Sequence, residues 1–194
     1  MIVVEERLKE LFDTIGTYDL PEETNNINDP GQSFPLTFGY GSHKELLKVL
    51  KKRSENNAVT YPLIWLVMPF TEDIYSRYTK CNLRLVLAMN NKNVNQFNDE
   101  RNQYTYKLYL NPYIELIKQS LVKSNTIDLV TKTSNVFNFF TQTKYPQYGL
   151  PEDFEGSDRN KTFDFWDAIV LDFEAKVNSN CLLKINYNKN NLIQ

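Results

Sequence analysis

The feature that most constrains this fold is a run of ten mostly apolar residues, YPLIWLVMPF at 61–70, which contains two prolines. A membrane-spanning helix needs about 20 apolar residues, so the run is too short to cross a bilayer. Its bulky, β-rich composition predicts a strand that starts near Pro62 and ends near Pro69. Apolar side chains occupy both registers, so both faces of this strand need a cover. The sequence leaves open whether the second cover comes from the same chain or from a neighbouring subunit.

Helical patterns lie on either side of this run. Residues 2–15 place apolar side chains on one face of an amphipathic helix. Ser42 and Glu45 form a capping box, which predicts a second helix ending near Arg53. A third helical pattern begins at Asn98, and we expect an interruption just before Pro112.

The remaining regular patterns predict strands, at 82–89 and over much of the last seventy residues. Residues 71–81, between the apolar run and the strand at 82–89, are expected to form a connecting loop. In 169–177 the odd positions are apolar and the later even positions are charged, which is typical of a half-buried antiparallel strand. The order of elements predicts an α+β fold, with a mostly antiparallel sheet packed against amphipathic helices. We expect residues 1–194 to form a single domain, with a long polar loop at 17–33 and an extended loop at 145–160.

Overall charge and cysteine content narrow the classes of function. The formal net charge of −2 argues against binding nucleic acid by bulk charge. No basic-then-apolar leader opens the chain, so we expect no secretion by a signal peptide. Cys81 and Cys181 lie far apart and are expected to be reduced structural thiols.

Few residues have the spacing of a catalytic, metal or cofactor site. The single histidine, His43, is interpreted as a surface residue at the start of a helix rather than a general base or ligand. The glycines in 38–44 lack the spacing of a phosphate-binding loop, and we interpret them as a flexible approach to the capped helix. The carboxylates at 152–158 and 164–174 fit a solvated loop and a solvated strand face. We therefore expect no enzyme activity, no cofactor and no metal.

Aromatic residues are concentrated in the last third of the chain, next to Asp and Asn rather than Lys and Arg. This setting favours core packing or a protein interface over base stacking. The residues that we predict as interface candidates are Ile64, Trp65, Tyr145, Tyr148, Phe163, Phe165 and Trp166.

The motifs YPLIWL, ER…Y…L…P…L and FWDAI…L, followed by a late Cys, resemble a known class of virion protein. The chain is similar to the small neck and tail-completion proteins (tail-terminator-like) of tailed bacteriophages. The resemblance is closest to phages of Bacteroidetes-type gut bacteria (crAss-like phages). The Asn-, Lys-, Ile- and Tyr-rich composition fits the AT-rich genome of such a phage.

The resemblance implies a tail-terminator-like fold and a structural role in the virion. Such proteins form a closed homo-oligomeric ring, on the order of six or twelve copies, in the head-to-tail connector or tail. The ring contacts other neck and tail proteins, joins portal-side to tail-side components, and passes DNA through its lumen without binding it specifically. The implied location is the virion, after assembly in the cytoplasm of the host bacterium, with no membrane contact.

Three alternative functions stay open on the sequence alone. The chain could be a tail hub or adaptor that binds other virion proteins without forming a ring. It could be a small host-takeover protein that binds one bacterial target. The third alternative is a hydrolase with a carboxylate site around Glu152, Asp164 and Asp167, which requires those side chains to converge in one pocket.

Overall fold

In a computed structural model of the protein, the described residues are 4–15, 17–19, 33–55, 62–91, 98–130, 140–148 and 165–178. The helices are α1 (Val4–Asp13), α2 (His43–Glu55), α3 (Asn98–Arg101) and α4 (Asn111–Lys123), and a π-helical stretch (Asn102–Leu110) joins α3 to α4. The strands are β1 (Thr17–Asp19), β2 (Ser33–Pro35), β3 (Thr37–Ser42), β4 (Leu63–Met68), β5 (Glu72–Ile74), β6 (Tyr78–Asn91), β7 (Ile127–Leu129), β8 (Phe140–Tyr148) and β9 (Phe165–Asn178).

Seven of these strands form one mixed sheet around a long central pair. The main order is β3-β4-β6-β9-β7, while β5 pairs with β6 and β8 pairs with β9. β6 and β9 run antiparallel along their whole length, from Tyr78 opposite Asn178 to Asn91 opposite Phe165. Only β3 and β4 are parallel, and α2 is the helix that connects them. The α+β class and the mostly antiparallel sheet are thus confirmed.

The two faces of the sheet have different covers. The inner face carries the alternate residues Ile64, Leu85 and Leu171, which join one buried cluster with apolar side chains of α1 and α4. The outer face carries Trp65 and Val170, which join a second cluster with the leucines of α2. Both registers of the apolar run are therefore covered within its own chain. The element that covers the second face of the apolar run is α2.

The helix through Pro112 changes type instead of breaking. Leu110 and Asn111 have right-handed helical backbone angles, and the Asn111 N–H donates to the Tyr106 carbonyl, five residues back. The α-helical pattern begins at Asn111, so Pro112 lies in the first turn of α4. Because the helix is continuous there, Pro112, which has no N–H, leaves one donor missing from the hydrogen-bond ladder at the start of α4. The interruption that we expected at this position is a change from π to α geometry.

Three of the expected loops contain regular structure. Residues between the apolar run and 82 form β5 and the start of β6, so the segment that we expected to be a loop is a β-hairpin. The expected loop at 17–33 begins in β1 and ends at the start of β2, which pair with each other. The expected loop at 145–160 begins inside β8, which continues to Tyr148. The parts of these loops at 20–32 and 149–160 lie outside the described residues.

Candidate interaction surface

Two glycines in β3 make room for the Trp65 side chain. A Cβ at Gly39 would lie 2.6 Å from Cζ3 of Trp65, and a Cβ at Gly41 would lie 2.7 Å from a Glu45 carboxylate oxygen. Gly41 also has φ +148°, a conformation that side-chain-bearing residues rarely adopt. The indole Nε1–H donates to the Gly41 carbonyl at 3.1 Å. The glycines of 38–44 are therefore part of a strand that holds Trp65 under α2, not a flexible approach to the helix.

The N-terminus of α2 is occupied by the chain's own carboxylate. Glu45 Oε2 accepts hydrogen bonds from the Ser42 N–H at 2.7 Å and from the Ser42 hydroxyl at 2.8 Å. In return, the Glu45 N–H donates to Ser42 Oγ. The backbone hydrogen bond from Ser42 is the main cause that lowers the pKa of Glu45. This confirms the predicted capping box. It also fills the position where an external anion would meet the helix N-terminus.

The α2 cover extends over only part of the outer face. Along β9 the outer-face residues Ala168 and Val170 are buried with α2, but Asp172 and the alternate residues after it are half-exposed. Exposure changes in the same way along β6, where Val86 is buried and Arg84 is exposed. We name this uncovered region the open half of the outer face. It consists of Lys80, Asn82, Arg84, Asp172, Glu174 and Lys176.

Four of the five charged residues of the open half form two ion pairs, and the fifth, Lys176, lies over the Tyr78 ring. Arg84 and Asp172 are directly opposite on β6 and β9, and two guanidinium nitrogens contact the two carboxylate oxygens at 2.7 and 3.2 Å. This ion pair raises the pKa of Arg84 above its ordinary value. Lys80 contacts Glu174 at 2.6 Å, an interaction that raises the pKa of Lys80. The open half is therefore polar but close to neutral, without the basic excess that a nucleic-acid site needs.

A shallow cleft lies where β4 ends and β5 begins. The register pairs β4 with β6 as far as Leu66 opposite Leu85, and β5 with β6 from Glu72 opposite Cys81. Neither strand pairs with residues 82–84 in this register. The resulting cleft has a volume of about 370 Å³. Its lining combines apolar and polar groups, chiefly Val67, Pro69, Phe70, Asn82, Arg84 and Asp172.

The tip of the β5–β6 hairpin presents apolar side chains to solvent. Ile74 is 70% exposed and Tyr75 is 50% exposed. The Tyr75 N–H donates to the Tyr78 carbonyl at 2.9 Å, and the two rings stack with centroids 4.6 Å apart. Lys176 of β9 lies over the Tyr78 ring, 5.3 Å from its centroid. The hydrogen bond and the ring contacts join the two sides of the turn, which exposes Ile74 and Tyr75 beside the polar Ser76 and Arg77.

The predicted interface residues occupy different environments. Ile64, Trp65 and Trp166 are core residues of this chain, at most 6% exposed, because the inner-face helices and α2 cover them. Their burial leaves them no exposed surface for a neighbouring subunit.

The other candidates lie towards the surface or outside the described residues. Tyr145 is exposed on β8 and packs edge-on against the half-buried Tyr148, which also contacts the ring of His43. Phe165 is the first residue of β9, and Phe163 lies outside the described residues. Tyr145 and Tyr148 therefore stay predicted contact residues.

Of the three residues in the alternative carboxylate site, only Asp167 lies within the described residues. Asp167 is fully buried and contacts Arg101 at 2.7 Å, so its charge is already balanced by a guanidinium group. Glu152 and Asp164 lie outside the described ranges. Among the residues that the structure describes, no group of three or more His, Cys, Asp or Glu side chains could hold a metal ion. Burial raises the pKa of the Cys81 thiol to about 12, which makes it a poor nucleophile.

Comparison with known proteins supplies no family. No protein-family model matches the sequence, and no curated protein is significantly similar to it. Within the described part of the chain, none of the helices has the length and apolar character required to cross a membrane.

The hairpin tip and the cleft were not predicted from the sequence. The signal for the hairpin was present, because Glu72–Ile74 and the strand-like run after Tyr78 are separated by only three residues. The cleft had no comparable signal. It depends on which residues of β6 pair with neither β4 nor β5, and that follows from the pairing of three strands.

Proposed function

We propose that this chain is a structural subunit of a protein assembly, and specifically of a ring in the head-to-tail connector or tail of a tailed phage. In this role it would join portal-side and tail-side components around the DNA passage. The observation that supports an assembly role is the open half of the outer face, next to an ordered hairpin with an exposed apolar tip.

The chemistry of this region suits a protein partner. Tyrosine and arginine are frequent among the residues that contribute most to protein interfaces, and Tyr75, Tyr145 and Arg84 are all exposed on this chain. Because four of the five charges at the open half are already paired, a partner does not have to supply a large opposite charge. A partner only has to keep the existing ion pairs or replace them.

The charge distribution also fits a conduit that DNA passes through. Net charge is −2, and Lys80 and Arg84 at the open half each contact a carboxylate. Such a surface has few cations that could replace the counterions of the DNA phosphates. It would therefore not retain the nucleic acid. The choice of a phage ring among protein assemblies rests on the sequence resemblance.

The test is the oligomeric state of the purified full-length chain. We expect mass photometry and negative-stain imaging to show a closed ring, alone at high concentration or after addition of the neighbouring neck and tail proteins. Lys176→Glu at the open half should reduce assembly, whereas Lys9→Glu, on the exposed side of α1, should not. A compact monomer under all of these conditions would contradict the proposed function.

A further inference from the structure

We propose that Tyr75, at the β5–β6 hairpin tip of one copy, inserts into the cleft between β4 and β5 of a second copy of this chain. The inference rests on the assembly function proposed above, and it names the two surfaces that meet. Both are made of described residues, and the sequence patterns predicted neither surface.

The hairpin tip is already in a conformation suited to binding. The Tyr75 ring is held by its stack on Tyr78 and by the backbone hydrogen bond across the turn. Half of the Tyr75 side chain is still exposed, and Ile74 beside it is more exposed. An aromatic side chain that is fixed before binding loses little conformational entropy on association.

The cleft has the size and the chemistry for one tyrosine side chain. Its volume of about 370 Å³ is near the lower limit for ligand pockets, which suits a side chain better than a large cofactor. Val67, Pro69 and Phe70 offer an apolar wall for the ring, and Asn82 and Asp172 offer polar groups near a phenol hydroxyl. Tyrosine needs both kinds of contact, because it has an apolar body and a polar end.

The Tyr75 side chain cannot occupy the cleft of its own chain. Tyr78, on which Tyr75 stacks, is five residues along β6 from Leu83 in the cleft, which corresponds to about 17 Å in a strand. A tyrosine held at one end of that distance cannot fill a cleft at the other end. The contact then joins two different surfaces of identical chains, and contacts of this head-to-tail kind close into rings when the rotation between neighbours permits it.

Mixed disulfide trapping tests the contact without removing Tyr75 or the cleft wall. One chain carries Ser76→Cys at the tip and the other carries Asn82→Cys at the cleft, both with Cys181→Ser. After mild oxidation of an equimolar mixture, we expect a mixed disulfide between these positions, identified by mass spectrometry. The matched control pairs Ser76→Cys with Val122→Cys, an exposed position on α4, and should yield only collisional background.

A second measurement gives the contribution of the Tyr75 side chain to self-association. Tyr75→Ala should weaken self-association by about 30-fold or more, as expected for an interface hot spot worth about 2 kcal/mol. Val67→Glu in the cleft wall should have a similar effect. Far-UV circular dichroism and urea titration identify loss of folding in either variant, and Tyr104→Ala, at an exposed position on the π-helical stretch, serves as the folded control.

The outcomes separate this contact from the assembly function itself. If the wild-type chain assembles, but the mixed disulfide stays at control level and Tyr75→Ala assembles normally, the tip–cleft contact is wrong and the ring uses other surfaces. If the wild-type chain and its partners give only monomers, the proposed function fails, and this contact fails with it.

Discussion

Replacing Gly39 by alanine should destabilise the protein because of one neighbour, Trp65. The added Cβ would lie 2.6 and 2.7 Å from two carbons of the indole ring, distances that real Cβ atoms do not tolerate. The ring has little freedom to move, because it is buried and its Nε1–H is bonded to the Gly41 carbonyl. The φ of Gly39 lies outside the left-handed region, so the backbone itself accepts an alanine.

The size of the effect follows from two opposing contributions. Forcing an extra carbon into a packed site costs about 1–3 kcal/mol. Replacing glycine by alanine where the backbone allows it stabilises the fold by about 0.4–1 kcal/mol, because the unfolded chain loses freedom. With Trp65 present the first contribution dominates. With Trp65→Leu, which by itself costs about 3 kcal/mol, only the second should remain. We therefore expect a coupling free energy of about 2 kcal/mol between positions 39 and 65.

Urea unfolding of the wild type, Gly39→Ala, Trp65→Leu and the double variant measures this coupling. Gly41→Ala is the matched contrast, because its strain comes from φ +148° and from Glu45 as well as from Trp65. Its cost should persist when Trp65 is replaced by leucine. The reasoning is refuted if Gly39→Ala costs the same with Trp65 and with leucine at position 65, or if it costs nothing in the wild type.

Three further predictions concern groups with unusual environments. Arg101→Met should lower the free energy of unfolding by about 3–5 kcal/mol because it leaves Asp167 buried without its guanidinium partner, and Arg101→Met/Asp167→Leu should restore part of the loss in urea titrations. The lowered pKa of Glu45 stabilises the fold above its unfolded-state value of 4.5, and this contribution disappears as the pH falls through the lower folded-state pKa. Glu45→Gln should therefore flatten the dependence of the urea midpoint on pH below 4.5; an unchanged slope would exclude Glu45 as its source. Because burial raises the pKa of Cys81 to about 12, iodoacetamide at neutral pH should modify Cys81 only after unfolding, as followed by peptide mass spectrometry, and rapid modification of the folded protein would contradict its burial.

The sequence predicted those elements whose signal is local. The capping box of Ser42 and Glu45 is visible as a residue pair three positions apart, and the structure has all of its hydrogen bonds. The alternation at 169–177 predicted an antiparallel strand that is buried on one face, and β9 has that pattern. The apolar run predicted a strand with both faces covered, as β4 is. In each case, the signal lies in neighbouring residues of the sequence.

The features that the sequence did not reveal depend on long-range pairing. The role of Gly39 requires knowing that β3 lies parallel to β4, with Gly39 directly opposite Trp65. The cleft requires knowing where β4 leaves β6 and where β5 joins it. Ile64 and Trp65 suited an interface on composition alone, and only the position of α2 shows that Trp65 is enclosed by its own chain.

The central strand pair is too long for the helix that covers it. β6 and β9 have 14 residues each, which corresponds to about 46 Å, whereas the 13 residues of α2 measure about 20 Å along the helix axis. Even laid parallel to the strands, α2 could shield less than half of their length. The difference in length is visible in the sequence of β9. After Val170, its outer-face residues change from apolar to charged. A longer helix that covered Asp172 and Arg84 would bury both charges under an apolar face, so the extent of the helix cover and the start of the charged pattern have to change together.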